Sequence, residues 1–242
     1  MSPQAPTTIV LIAGHWLGAW AWDDVRTHLT ERGHRAIALT LPGLDPTDPE
    51  RSSRTLDEQV AAIVDVISES AAGPVVLVAH SGANGPVSIA LDRHADLVGR
   101  VVWVDSGPLA NGTASAGDLP ADVRELPLPP FAALAQQASL EGLSEADLER
   151  FRARAIPEPA VVLRQPVKLI NDERHRIPTT LVCCSLPSTQ LLELARAGHP
   201  MFAPVTALVD VELVDLPTGH WPMWSRPRDL AAAIAAAATR AS

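Results

Sequence analysis

The sequence predicts an α/β fold: a mainly parallel, twisted sheet flanked by helices, with an inserted helical lid. Three observations predict it. Short β-rich apolar runs alternate with amphipathic helical patterns over the first part of the chain, which implies right-handed crossovers into a parallel sheet. One run ends on a serine between small residues, in Pro74-Val-Val-Leu-Val-Ala-His-Ser-Gly-Ala-Asn-Gly-Pro86, and a helical pattern follows at once. The alternation then breaks after Asp105-Ser106-Gly107-Pro108 and resumes at Thr179, as expected of one domain carrying an insertion.

Thr7 to Ala13 reads as the first strand and ends at Gly14. Trp20, Val25 and Leu29 then mark the apolar side of a helix stopped by Gly33. Arg35 to Thr40 is the second strand, cut off by Leu41-Pro42-Gly43. Thr55 and Glu58 form a capping box, after which Leu56, Val60, Ile63, Val64 and Ile67 recur at helical spacing. Val75 to Ala79 is a buried strand, Gly82 to His94 its following helix, and Val101 to Val104 the next strand. The helical lid is placed at residues 109–176, between core segments 1–108 and 177–242. Within it Ser144 and Asp147 cap a helix carrying Leu148 and Phe151, which Pro157 and Pro159 end. Thr179 to Cys184 and Val211 to Leu216 complete the sheet, and the alanine-rich stretch Arg226 to Arg240 is the closing helix.

Composition narrows the function. The 242 residues are 47% hydrophobic, enough for one large core. A net charge of −9 and a single lysine, Lys168, leave no basic surface for phosphates, so nucleic acid is not an expected partner. Met1 to Thr8 is polar and no apolar run reaches bilayer length, so a soluble cytoplasmic protein without membrane partners is expected. Its oligomeric state stays open, a homodimer included. Cys183 and Cys184 are adjacent on a strand, point to opposite faces and read as reduced core residues rather than a disulfide or metal site.

Ser81 sits at a strand-to-helix turn, a strained geometry that lifts its hydroxyl above the sheet and directs the Gly82 N–H toward a developing oxyanion. Ala79 and Ala83 occupy the two positions where bulk would collide. A serine needs a base, and His220 follows the last strand in Pro217-Thr218-Gly219-His220-Trp221-Pro222. His80, beside the serine, points away at strand periodicity. Asp105 ends the strand after the Gly82 to His94 helix and reaches the same rim, where a carboxylate would orient His220. Glu193 and Asp210 are the reserves. The loop after the first strand, Ala13-Gly14-His15-Trp16, is where a second oxyanion donor is expected.

With these residues in place, the chain resembles the α/β-hydrolase superfamily over nearly its whole length. The segment Ala13 to Trp22, Ala-Gly-His-Trp-Leu-Gly-Ala-Trp-Ala-Trp, is most similar to the branch of plant methyl-ester hydrolases and hydroxynitrile lyases. The resemblance implies that the His15 N–H is the second donor. It also places the acid after the penultimate strand, but Ser185-Leu186-Pro187-Ser188 offers no carboxylate there; a minority of the superfamily moves it one strand over, to the position of Asp105. The branch opens its motif with histidine where this chain has Ala13. Its lyases carry lysine after the catalytic histidine where this chain has Trp221, which disfavours cyanohydrin cleavage. Trp16 and Trp221 are expected to line an apolar pocket, with Trp224, Met201, Phe202 and Met223 near it; core packing is the alternative for all of them.

The expected protein is therefore a serine hydrolase that needs no metal or cofactor and cleaves a small or medium carboxylic ester or lactone. Ser81 is the nucleophile, His220 the base, Asp105 the orienting acid, and His15 and Gly82 the oxyanion donors. The alternatives are acyl transfer, cyclisation or elimination by the same residues in a biosynthetic pathway, or a receptor-like relative that binds a ligand.

Overall fold

The computed structural model describes residues 7–70 and 73–240, so most of the polar Met1 to Thr8 opening lies outside the described residues. Six parallel strands form one sheet in the order β2-β1-β3-β4-β7-β8. In chain order its elements begin with β1 (Thr8–Ile12), α1 (Asp23–Glu31), β2 (Arg35–Leu39), α2 (Leu56–Glu69), β3 (Val75–His80), α3 (Asn84–Arg93) and β4 (Val98–Val104). An excursion then holds β5 (Glu125–Leu126), α4 (Phe131–Leu134), α5 (Glu145–Arg154), β6 (Glu158–Pro159) and α6 (Ala160–Arg164). The chain returns through β7 (Thr179–Cys183), α7 (Ser188–Arg196), β8 (Val211–Asp215), α8 (Pro222–Ser225) and α9 (Pro227–Thr239).

Strand alternation sorts the core onto two faces. Val10, Ile12, Leu77, Val101 and Trp103 face α2, α3 and α7, whereas Ile9, Leu11, Val76, Val78, Val102 and Val104 face α1 and α9. Cys183 joins the first set and Cys184 the second, both as free buried thiols. Both capping boxes form: the Glu58 N–H donates to Thr55 Oγ1 at 3.3 Å and the Asp147 N–H to Ser144 Oγ at 3.1 Å.

Three local differences have physical causes. The segment around Trp20 is a 3-10 turn, Ala19–Trp22, whose first N–H donates to Thr40 Oγ1 at 2.9 Å, and only then does α1 begin. The strand expected at Val101 starts at Val98, through a register shift where Val75 pairs with Val98 and Val76 with Arg100. The excursion holds less helix than expected: its prolines favour turns and the short antiparallel pair β5–β6 beside the ten-residue α5. Phe151 of α5 is fully buried, 5.4 Å from the Trp221 ring and 5.1 Å from that of Trp224. Burying that ring contributes about 1.5–3 kcal/mol to holding the excursion on the core. Among the described residues no helix is long and apolar enough to cross a membrane.

Candidate active site

The six residues of β3 are buried, and the strand delivers Ser81 into a 3-10 turn, Ser81–Ala83, that leads into α3. Ser81 has φ +52°, in the left-handed region. Only two other non-glycine residues among those described share a positive φ, Trp16 and Asp105, and both are sequence-predicted site residues. Such conformations cost of order 1–3 kcal/mol each and persist where surrounding contacts enforce them. Here Ser106 Oγ donates to the Ser81 carbonyl at 2.9 Å. Gly14 crosses so close that a Cβ there would lie 2.6 Å from Ser81 Cβ and 2.9 Å from the Gly82 nitrogen.

His220 arrives from the loop after β8. Its N–H donates to the Ser139 carbonyl at 2.7 Å, and the Gly219 N–H to that of Glu141 at 3.1 Å, so the excursion fixes the loop. Glycine is required at 219, since a Cβ would meet the Glu141 and Ser139 oxygens at 2.5 and 2.6 Å. The imidazole then spans two partners: Nε2 is 2.7 Å from Ser81 Oγ and Nδ1 is 2.6 Å from Asp105 Oδ2. Since the carboxylate accepts, Nδ1 carries the proton and Nε2 is the acceptor for the serine hydroxyl.

Asp105 is held by the turn that carries no acid of its own. Its Oδ1 accepts from the N–H groups of Cys184 and Ser185 at 3.0 and 2.9 Å, and its Oδ2 from the Ser185 hydroxyl at 2.6 Å. Burial pushes the Asp105 carboxyl up; the bonds from His220 and Ser185 outweigh it and hold the group below its usual range. Glu193 and Asp210 are exposed and bond to neither His220 nor Ser81.

The loop after β1 presents its amides around the same point. The Gly14 N–H donates to His80 Nδ1 at 3.4 Å and the Trp16 N–H to Glu158 Oε1 at 2.9 Å, while the His15 N–H has no protein acceptor among the described residues. Gly82, at the head of its turn, also keeps an N–H without an acceptor inside the helix. His80 stays out of the Ser81–His220–Asp105 line yet touches both flanking loops, since its Nε2–H donates to the His220 carbonyl at 2.7 Å. Burial pushes its pKa down to about 3, so the ring is neutral.

A cleft opens beside this loop, walled by Gly14, His15, Gly82, Glu158, Gln165 and Val167 among others, next to Ser81 and His220 but not lined by them. Neither tryptophan expected in the pocket lines it. Trp221 is buried against Phe151, its ring edge-on to His220 at 4.9 Å, and the Trp16 indole donates to the Leu126 carbonyl at 3.0 Å. Met223 and Trp224 are core residues, and Met201 is exposed. Sequence reasoning missed Glu158, His80 as a clamp, and Ser185. Glu158 gave no signal because a two-residue strand has no periodicity to read. Among the described residues no three His, Cys, Asp or Glu side chains are grouped to hold a metal ion.

The model of the alpha/beta hydrolase family matches residues 9–233, most of the chain and all of the elements that carry the site. The chain belongs to the alpha/beta hydrolase family. This alpha/beta hydrolase is 25% identical over 248 residues to the carbendazim hydrolyzing esterase of a Nocardioides species, across 94% of this chain and 98% of that one. It is 32% identical over 108 residues to esterase PIR7B of Oryza sativa subsp. japonica, which covers 43% of this chain and 40% of the rice protein. The solved methylesterase MES16 from Arabidopsis superposes with a TM-score of 0.75 at 18% identity, over 97% of this chain and 99% of that one. These matches support the methylesterase-like branch to which Ala13 to Trp22 points.

Proposed function

We propose that this alpha/beta hydrolase is a serine hydrolase that cleaves a small or medium carboxylic ester or lactone through an acyl-enzyme. The esterase relatives support ester hydrolysis in general. The observation that carries the finer reading is the unbroken line from Ser81 Oγ through His220 to Asp105, with links of 2.7 and 2.6 Å. His220 takes the serine proton as Oγ attacks the carbonyl carbon, and Asp105 keeps the imidazole in the accepting tautomer and stabilises the imidazolium. The N–H groups of His15 and Gly82 receive the negative oxygen, an interaction that strengthens as charge develops. His220 then returns the proton to the leaving alcohol and deprotonates the water that releases the acid. The excursion acts as the cap over this chemistry.

The test is labelling with a fluorophosphonate together with turnover of short aryl esters, comparing wild type with Ser81→Ala. Labelling and turnover that both disappear in the variant support the reading. Turnover that survives in Ser81→Ala overturns it. Labelling without turnover of any ester points to the ligand-binding alternative, and turnover of an acyl donor only when an acceptor alcohol is supplied points to acyl transfer.

A further inference from the structure

The cleft beside Gly82 contains a side-chain pair that the serine chemistry does not use. The Glu158 side chain is only 3% exposed, and its Oε1 takes the Trp16 N–H at 2.9 Å and faces His15 Nδ1 at 3.2 Å. A carboxylate can only accept, so Nδ1 bears the proton, and in the neutral imidazole Nε2 is left with its lone pair. That nitrogen lies over Gly82: an ideal Cβ on Gly82 would clash with the His15 ring, 2.3 Å from Nε2. Nε2 makes no hydrogen bond with the described residues and is not sealed from solvent, so it is available to a molecule in the cleft. No lysine or arginine lines the cleft, Glu158 is its one carboxylate, and Gln59, Thr113, Ser115 and Gln165 share the wall with aliphatic residues.

We propose that this cleft receives the acyl side of the substrate, and that His15, held by Glu158, selects short, non-anionic acyl groups with an O–H or N–H one or two bonds from the carbonyl carbon. The α-hydroxy esters and the carbamates with a free N–H are the chemical classes that meet this description. The inference rests on the serine-hydrolase reading above. With the carbonyl oxygen on the Gly82 N–H, a donor close to the carbonyl carbon faces Nε2, whereas a methylated oxygen there leaves Nε2 desolvated without a partner. A carboxylate tail would meet Glu158 with no cation to offset the repulsion.

The experiment compares kcat/KM for para-nitrophenyl esters of hydroxyacetic, methoxyacetic, butanoic and succinic acids, each divided by its rate with hydroxide. The expected wild-type preference for hydroxyacetate over methoxyacetate is about tenfold, with the succinate monoester about tenfold or more below butanoate. His15→Phe keeps a ring over Gly82 without Nε2, and Glu158→Leu removes the acceptor that fixes the tautomer. In both, the hydroxy-to-methoxy ratio should fall to about 1. Because the ratio is read within each variant, a general loss of rate from a disturbed loop cancels. A wild-type ratio at or below one overturns the inference even if neither variant folds, and so does a ratio retained in both folded variants. If Ser81→Ala turns over these esters as fast as wild type, the hydrolase reading fails and takes this inference with it. Serine-dependent turnover without the preference sinks this inference alone.

Discussion

Acid should weaken the fold through His80, and replacing that ring should remove the effect. The ring is neutral, donating from Nε2 to the His220 carbonyl at 2.7 Å and accepting the Gly14 N–H at Nδ1. A proton on Nδ1 would set two donors against each other inside the core. Burial, followed by the His220 charge, holds the folded pKa at about 3, against 6.5 for a free histidine. Because the folded value lies below the unfolded one, the contribution is fully present above pH 6.5 and is lost as pH falls through that window toward 3. The slope exceeds about 1 kcal/mol per pH unit at its steepest, so the loss between neutral pH and pH ~4.5 is roughly 2–3 kcal/mol. Urea unfolding at a series of pH values measures it in wild type and in His80→Gln. The variant is less stable at neutral pH, and its curve should be flatter by that amount. Equal slopes in the two proteins would show that His80 is not the source of the acid sensitivity.

Asp105→Asn should lower kcat by about 10⁴-fold, because an amide at the Oδ2 position stabilises the wrong imidazole tautomer; a loss under tenfold in steady-state assays would move the orienting role elsewhere. Gly219→Ala should cost about 1–3 kcal/mol in urea unfolding, since the new methyl meets backbone oxygens rather than a flexible side chain. It should also slow turnover by displacing His220, and a neutral effect would contradict the close crossing at Ser139 and Glu141. Burial, with the charges of Asp215 and Asp105, pushes the Cys183 thiol up to about 12, and burial also pushes Cys184 up. Iodoacetamide at mildly alkaline pH should therefore leave both native thiols intact and alkylate them after unfolding, as read by intact mass; rapid native alkylation would contradict the burial.

The sheet was legible because its strands are apolar runs with unmistakable ends: Gly14 after the first, Leu41-Pro42-Gly43 after the second, the elbow serine after the third. The capping boxes at Thr55 and Ser144 were legible because they are local chemistry, complete within four residues. Ser81 and His220 declare themselves by their place after strands. Asp105 is harder, because the donors that hold it come from Cys184 and Ser185, far along the chain, and nothing local to Asp105 announces them. The roles of Glu158 and His80 depend on contacts across 142 and 140 residues, where no spacing rule reaches. The tryptophans show the opposite failure. Residue type suggested a pocket, whereas Phe151 buries Trp221 in the core, and only packing between the excursion and α8 decides between those outcomes.

The acyl-enzyme is a covalent species, and the mass of the protein caught in turnover tests it most directly. After rapid acid quenching of a reaction with a para-nitrophenyl ester, the peptide that contains Ser81 should carry one added acyl group, absent in Ser81→Ala. Ester turnover with no acyl group on that peptide, or with the group on another residue, would contradict it.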